Sequence, residues 1–175
     1  LPSINAMKSS PSNKSSRQTG ARRVGIVAFP GSQILDIAGP MAVFAEANQF
    51  CQNNFNAKQA AYRIELISTE SDRLVDCYCG VNITAQTDFR SVNGAFDTLL
   101  IAGGYGGVHV EKIAGFLPWL RKTSKAARRI GSVCGGAFAL AAAGLLDGRR
   151  ATTHWHFCRQ MAERFPAVRF DPDPI

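Results

Sequence analysis

Residues 129–146 read RIGSVCGGAFALAAAGLL, and this stretch decides the fold. The apolar run before Cys134 predicts a strand, and the Ala- and Leu-rich run after it predicts a helix. The neighbours of Cys134 are small, with Ser132 two positions before it and Gly135 and Gly136 directly after it. A sharp strand-to-helix turn at a nucleophile needs small neighbours, because larger side chains would clash there. The stretch therefore predicts a nucleophile elbow at Cys134.

The predicted elbow places the Cys134 thiol beside the positive end of a helix dipole, which favours the thiolate. A buried structural cysteine in a Gly- and Ala-rich packing seam is the competing interpretation. The strand pattern on one side of Cys134 and the helical pattern on the other favour the elbow.

Strands and helices alternate along the chain on either side of this stretch. Further strands are predicted at residues 24–29, 62–68, 74–79, 81–84, 96–102 and 149–155. Further helices are predicted at residues 41–47, 118–129 and 156–165, with Pro40 near the first turn of the first helix and a polar connection at residues 48–60. This alternation predicts an α/β fold of the flavodoxin-like type, in which a mostly parallel sheet carries helices on both faces.

Three features are predicted to meet at the carboxyl edge of this sheet, where such folds bind ligands. Asp36 follows the first strand, a glycine loop at residues 103–107 follows another strand, and Cys134 follows the elbow strand. Asp36 fits a helix N-cap and a partly buried acid aimed at a site equally well. The loop offers backbone N–H groups to an anion or oxyanion. It lacks the G-x-G-x-x-G spacing of a dinucleotide site.

His154 is a further candidate for the site. A lone histidine is more often a structural hydrogen-bonding group. The Thr-Thr pair before His154 and Trp155 after it, however, make a functional role equally well supported. His109 and His156 are assigned to the surface. Cys77 and Cys79 are predicted to share one face of a strand, and packing is favoured over zinc because no second Cys/His pair has ligand spacing. No metal site and no cofactor is predicted.

The composition indicates one globular domain. A chain of 175 residues, 46% of them hydrophobic, can bury a sizeable core. No apolar run approaches the roughly 18–20 residues that span a bilayer, and the N-terminus lacks an apolar signal segment. Five cysteines, an odd number, argue against a disulfide framework, so a cytoplasmic location is expected. The polar residues 1–21 predict a disordered leader, with Met7 as the natural start and residues 1–6 added ahead of it.

The net charge of +7 makes nucleic acid a candidate partner. The basic residues are scattered, however, and the denser groups indicate a tail before residue 24 and a solvated helix face at residues 121–129. No recognition helix accompanies them. DNA binding by this segment itself is therefore not favoured.

Several of these stretches resemble motifs of the ThiJ/PfpI superfamily, which is related to class I glutamine amidotransferases. The resemblance runs from about Val24 to Ile175 and rests on residues 29–31, 35–40, 97–104, 132–138 and 144–155. It is strongest to the subgroup in which this domain is the N-terminal, sensor-like half of AraC-type transcriptional regulators. Residues 164–174 strengthen that narrower resemblance.

The resemblance implies a domain at residues 22–175 that normally continues with a final strand and helix and then a helix-turn-helix domain. It implies DNA binding through that C-terminal domain, which is absent from this chain, and a homodimer, since paired modules read paired half-sites. The resemblance also matches Asp36 and Cys134 to the acid–cysteine pair of the superfamily's isonitrile hydratases. Gly135 stands where relatives commonly carry Thr, and no Glu is placed to complete a Cys-His-Glu triad.

Two functions follow as hypotheses. The first is a ligand-sensing N-terminal domain of an AraC-type regulator, without a membrane role, that binds a small-molecule effector. Its site would comprise Asp36, Gly103, Gly104, Cys134 and Gly135. The second is a cysteine-dependent enzyme of the isonitrile hydratase type, with Cys134 as nucleophile, Asp36 as proton-transfer group and His154 as a third candidate. Oxidation or glyoxal-type chemistry at the same thiol is a third interpretation.

Overall fold

The structure is a computed structural model that describes residues 20–173. Residues 1–19 of the predicted leader and residues 174 and 175 lie outside the described residues. The strands are β1 Arg22–Ala28, β2 Tyr62–Ser68, β3 Leu74–Asp76, β4 Asn82–Thr84, β5 Thr87–Asp88, β6 Thr98–Ile101, β7 Arg129–Ser132, β8 Arg150–Ala151 and β9 Arg169–Phe170. The helices are α1 Ile34–Phe55, α2 Phe116–Ala126, α3 Ala137–Ala142 and α4 Cys158–Arg164. None of these helices is long and apolar enough to cross a membrane.

Five strands form one parallel sheet, which confirms the predicted sheet type. Their order is β5-β2-β1-β6-β7, so the first strand of the chain lies at the centre and β7 lies at one edge. All four pairings in this sheet are parallel. Residues 24–28 of β1 are buried without a break. A continuous apolar strand of this kind is typical of a sheet that is covered on both faces.

Helices cover both faces of the sheet, as the alternation of elements predicts. On one face, Ile37 of α1 belongs to a buried cluster with Ile26 of β1. On the other face, Phe116 of α2 and Leu140 of α3 belong to a second cluster with Ile101 of β6. The two clusters hold the sheet from both sides and bring the carboxyl ends of β1, β6 and β7 to the same edge.

The first helix is longer than the sequence pattern predicts. It spans Ile34–Phe55, whereas the prediction was a helix at residues 41–47 followed by a polar connection, so residues 48–55 are helical. Pro40 lies inside the helix. Because proline lacks an N–H group, it removes the hydrogen bond to the carbonyl of Asp36, and near the helix start this single loss is tolerated. Proline therefore does not mark the start of this helix.

Two other local predictions are wrong. β3 ends at Asp76, so Cys77 and Cys79 lie in the turn between β3 and β4, with Cys77 buried and Cys79 exposed. The two-residue alternation of side chains holds only within a strand, and the two cysteines do not share a face. The strand predicted at residues 149–155 is limited to the two residues of β8, which pair with β9 outside the main sheet.

Candidate functional site

Cys134 lies where β7 passes into α3. Its φ angle is +51°, a left-handed conformation that is uncommon for a residue other than glycine. A short 3-10 turn, Cys134–Gly136, follows and leads directly into α3. Thr153 Oγ1 donates a 2.9 Å hydrogen bond to the carbonyl oxygen of Cys134. The small residues around Cys134 thus occupy a tight strand–turn–helix connection that the segment after β8 holds in place.

Asp36 lies in the first turn of α1, and its carboxylate faces the end of β6. The N–H of Gly103 donates a 3.1 Å hydrogen bond to Asp36 Oδ2. The N-cap of α1 is Gln33, so the structure favours a partly buried acid over the N-cap interpretation. A Cβ atom built on Gly103 would lie 2.4 Å from Asp36 Oδ2 and 2.7 Å from Cys134 Cβ. The acid and the cysteine therefore lie side by side across Gly103.

The glycine loop places its backbone against the thiol. Gly104 has a φ of +125°, and a Cβ atom there would lie 2.3 Å from the carbonyl oxygen of Gly31, so the position requires glycine. The backbone N–H groups of Gly135 and Gly104 lie close enough to the Cys134 thiol to lower its pKa. The structure thus brings together the residues that the sequence singles out for a ligand, namely Asp36, Gly103, Gly104, Cys134 and Gly135.

Burial raises the pKa of the Cys134 thiol above its ordinary value of 9.0. The N–H groups of Gly135 and Gly104 lower this pKa, and the neighbouring Asp36 carboxylate raises it. Burial has the largest effect, because a buried thiolate loses its hydration. The N–H of Gly135 at the helix end thus favours the thiolate, as predicted, but burial outweighs it and the pKa of the Cys134 thiol is raised on balance.

Burial also raises the pKa of the Asp36 carboxyl group above its ordinary value of 3.8. The Gly103 N–H and the nearby His154 act in the opposite direction and only partly offset burial. A raised pKa means that the folded protein holds this proton more tightly than the unfolded chain does. The resulting stability is fully present below the unfolded pKa and is lost as the pH rises through the folded pKa. Ionised Asp36 therefore costs stability at neutral pH.

We expect Asp36→Asn to raise the free energy of unfolding at pH 7 and to raise Tm by a few degrees. The amide keeps an oxygen for the Gly103 N–H but carries no charge to be buried. Thermal unfolding between about pH 4 and pH 8 should show the gain shrinking as the pH falls. Asp72→Asn is the matched control, since Asp72 is exposed and also accepts one backbone N–H, from Leu74 at 2.9 Å. A lower Tm for Asp36→Asn at pH 7 would contradict this assignment.

The Cys134 thiol faces a small cleft of about 110 Å³. Aromatic rings wall the cleft: the Tyr78 and Tyr105 rings meet edge to face at 5.5 Å, and Tyr105 meets Phe157 at 5.9 Å. The residues that line the cleft are Gln33, Tyr78, Gly104, Tyr105, Cys134, His154, His156 and Phe157. The space suits a small molecule with an apolar part.

His154 lines the cleft, but its side-chain hydrogen bond is made with its own loop. Its Nδ1 accepts the N–H of His156 at 3.2 Å, and its side chain is exposed. His154 acts on Asp36 through its charge, which lowers the pKa of the Asp36 carboxyl group. His156 is exposed and also lines the cleft, whereas His109 is exposed on the 3-10 helix that follows the glycine loop.

The sequence patterns do not mark the aromatic wall. Tyr78 reaches the cleft because the β3–β4 turn packs over α1: its N–H donates to the Ser32 carbonyl at 3.2 Å, and Gln33 Nε2 donates to its hydroxyl at 3.2 Å. Only Tyr105 carried a local signal, since it lies within the glycine loop. Phe157 and Tyr78 join the site through tertiary packing, which no local pattern encodes.

All five cysteines are free. Among residues 20–173, no group of three or more His, Cys, Asp or Glu side chains is placed to hold a metal ion. The polar side chains among the residues that line the cleft are the Cys134 thiol, the imidazoles of His154 and His156, the Gln33 amide, and the phenols of Tyr78 and Tyr105.

Comparison with known proteins finds relatives with different functions. An uncharacterized protein in the cpoL 5′ region of Streptomyces lividans is 39% identical over 150 residues, which cover 85% of this chain and 98% of that protein. Isonitrile hydratase of Pseudomonas putida is 31% identical over 137 residues, covering 78% of this chain and 54% of that protein. The HTH-type transcriptional regulator GbdR of Pseudomonas aeruginosa is 28% identical over 145 residues, covering 83% of this chain and 37% of that protein. The chain thus spans nearly all of the first relative, about half of the second and little more than a third of the third.

Solved structures and family membership agree with the fold. The crystal structure of a ThiJ/PfpI family protein from Pseudomonas syringae matches with a TM-score of 0.72 at 26% identity, covering 97% of this chain and 64% of that chain. Residues 22–168 match the DJ-1/PfpI family. This match covers every strand and helix from β1 to α4. The chain belongs to the DJ-1/PfpI family.

Proposed function

We propose that this domain senses a small molecule in the Cys134 cleft on behalf of an AraC-type transcriptional regulator. One observation carries the proposal: Cys134 lines a small cleft walled by aromatic rings, which can hold a small molecule. Burial also raises the pKa of its thiol, which disfavours a preformed thiolate nucleophile. The similarity to GbdR supports a regulatory role, because that relative is a helix-turn-helix regulator.

The effector would use the groups that the cleft presents. An effector oxygen would accept hydrogen bonds from the N–H groups of Gly104 and Gly135, which lie beside the thiol. The rings of Tyr78, Tyr105 and Phe157 would cover its apolar part. Regulation requires that the effector bind two conformations with different affinities. We assign DNA binding to a C-terminal helix-turn-helix domain outside this chain, and we expect a cytoplasmic homodimer.

Hydration of a small C–N substrate is the second candidate function. It is favoured by the side-by-side placement of Asp36 and Cys134 and by the similarity to the isonitrile hydratase of Pseudomonas putida. Cys134 would give its thiol proton to Asp36 and attack the isonitrile carbon, and Asp36 would return the proton to that carbon to leave a thioimidate. Water would then add to the same carbon, and release of the thiol with proton transfer to nitrogen would give the N-substituted formamide. The N–H groups of Gly104 and Gly135 would stabilise the developing charge.

Replacement of the thiol separates the two functions. For a sensor, we expect no hydration of methyl isocyanide to N-methylformamide above the rate of Cys134→Ala, measured by NMR. We also expect acetate or acetamide to protect Cys134 from alkylation by iodoacetamide, measured by mass spectrometry. Cys134→Ala should keep the affinity for the protecting probe within about tenfold, because the N–H donors and aromatic rings remain.

Cys79 is the internal control for the alkylation, since it is exposed and should react equally with and without the probe. Methyl isocyanide turnover that disappears in Cys134→Ala would replace the sensor proposal with the hydratase. If no probe protects Cys134 and methyl isocyanide is not turned over, both proposed functions of this cleft are contradicted.

A further inference from the structure

The amino-terminal ends of the sheet strands carry a row of basic residues, at the edge of the sheet opposite the Cys134 cleft. β1 begins at Arg22, and β7 begins at Arg129. Arg23 of β1 lies in register with Arg63 of β2. In the strand order β2-β1-β6-β7, three spacings of about 4.8 Å separate β2 from β7, so the row is about 14 Å wide.

Three clefts join these residues into one continuous surface, with volumes of about 430, 510 and 410 Å³. Arg23 lines both the first cleft and the second. The first and third clefts adjoin through Arg128 and Arg129, which are neighbours in the chain. The basic residues of this surface, which we call the amino-edge cations, are Arg22, Arg23, Arg63, Lys125, Arg128 and Arg129.

Two acids also line these clefts, and both form ion pairs. Arg128 donates hydrogen bonds of 2.7 and 2.8 Å to Asp97. Glu65 lies 2.7 Å from Arg23 and 2.9 Å from Arg63. Arg128 uses two of the five N–H donors of its guanidinium group on Asp97, which leaves three for a phosphate. Six cations and two acids leave four more positive than negative charges on this edge.

Two basic segments of the sequence end at this edge. Residues 1–23 hold five of the 20 Lys and Arg residues, residues 121–129 hold another five, and neither segment contains Asp or Glu. The first segment ends in β1, and the second ends in β7. The sequence treats them as a separate tail and helix face, but the sheet brings their ends to the same edge. Half of the basic residues of the chain thus belong to segments that end there.

We propose that the amino-edge cations bind the phosphate backbone of duplex DNA without reading its sequence. Lys and Arg side chains that neutralise phosphates supply sequence-independent affinity, and such binding needs no recognition helix. A protein partner fits this edge less well, because protein interfaces rely on large aromatic or apolar anchors. None of the exposed large apolar side chains within residues 20–173 lines the three clefts. A single strand also fits less well, since these side chains include every exposed aromatic ring on which an unpaired base could stack.

This surface goes beyond the proposed function. That proposal assigns DNA binding to a helix-turn-helix domain outside this chain, whereas the amino-edge cations would add backbone contacts from the sensing domain itself. They lie at the opposite edge of the sheet from the Cys134 cleft. A bound effector and a bound duplex would therefore not compete for the same residues.

Fluorescence anisotropy of a labelled duplex of about 20 base pairs and arbitrary sequence tests the proposal on the full 175-residue chain. We expect a Kd of about 10 µM at about 50 mM NaCl. With about four phosphates neutralised, the slope of log K against log[NaCl] should be about −3.6, which weakens binding about 50-fold between about 50 and 150 mM NaCl. No binding at about 100 µM protein and 50 mM NaCl, or tighter binding of the single strand than of the duplex, would overturn the proposal.

Charge reversal locates the contact on the protein. The double variant Arg22→Glu/Lys125→Glu should weaken binding at least about tenfold at low salt and bring the slope to about −1.8, because two phosphate contacts are lost. Lys112→Glu/Arg159→Glu is the matched control. It changes the net charge by the same amount at exposed positions that line none of the three clefts, and it should weaken binding less than about threefold. Equal weakening by the two double variants would assign the binding to net charge alone and contradict the proposal.

The leader needs its own control, since it carries Lys8, Lys14 and Arg17. Replacing all three with Ala should weaken binding by no more than about threefold. A loss as large as that of the edge variant would move the binding to the leader and overturn the proposal. Circular dichroism checks that each variant is folded, and where charge reversal prevents folding, Arg22→Gln/Lys125→Gln should lower the slope in the same way. Probe protection of Cys134 is read separately, so failure here is distinguishable from failure of the sensor proposal.

Discussion

Gly103→Ala is expected to lower the free energy of unfolding by about 2–3 kcal/mol and Tm by about 4–12 °C. The added Cβ would lie 2.4 Å from Asp36 Oδ2, 2.6 Å from the Val133 carbonyl oxygen and 2.7 Å from Cys134 Cβ. Real Cβ atoms essentially never come within 3.0 Å of other heavy atoms in this way. Because one of the crowded atoms belongs to the backbone, no side-chain rotation relieves the overlap, and β6 must move away from the turn at Cys134.

The same displacement should damage the site. We expect probe protection of Cys134 to disappear in Gly103→Ala while alkylation of the exposed Cys79 stays unchanged. Gly131→Ala is the matched control, since its added Cβ meets only the Leu100 side chain, at an ordinary 3.4 Å, and its Tm should stay close to that of the parent. Equal Tm values for the two variants would show that the packing around Gly103 yields more easily than the structure indicates.

The position of the cleft could be predicted from sequence because of one property of parallel sheets. Asp36, Gly103 and Cys134 each follow a strand, and the carboxyl ends of parallel strands share one edge. That argument needs only the order of strands and turns, which apolar runs and glycines reveal. It therefore placed these three residues together without knowledge of any contact between them.

The aromatic wall could not be predicted because it depends on packing across the chain. Tyr78 lies in a turn whose position over α1 is set by hydrogen bonds to Ser32 and Gln33. The raised pKa of Cys134 depends on the fold in the same way. A helix dipole can be inferred from sequence, but the extent of burial cannot, and burial outweighs the backbone donors here.

The length of α1 shows where local rules give way to tertiary structure. Pro40 and the polar connection predicted at residues 48–60 both favour a short helix, yet α1 runs from Ile34 to Phe55. Ile37, 1% exposed, anchors the turn ahead of Pro40 on the sheet. Burial of this turn outweighs the one hydrogen bond that proline removes, since helix propensity is a weak preference that packing overrides.

Phe116→Ala is expected to lower the free energy of unfolding by about 3–5 kcal/mol and Tm by about 6–20 °C. Phe116 is fully buried, and its ring lies 5.6 Å from that of Phe89 and 5.8 Å from that of Trp119. Truncation removes the apolar contact and leaves a cavity that this aromatic cluster cannot fill. Because Phe116 begins α2, which leads the chain to β7, its loss should also loosen the edge strand that carries Cys134. Faster alkylation of Cys134 at temperatures below Tm would report that loosening.

Two further variants keep this prediction testable even where Phe116→Ala does not fold. Phe116→Leu preserves much of the volume and should cost less than about 1.5 kcal/mol. Phe55→Ala removes the same side chain from an exposed position, 71% accessible, and should change stability by no more than about 0.5 kcal/mol. We therefore expect the highest Tm for Phe55→Ala, a lower Tm for Phe116→Leu and the lowest Tm for Phe116→Ala. A Phe55→Ala variant less stable than Phe116→Leu would mean that the end of α1 carries more of the fold than the packing of α2 on the sheet.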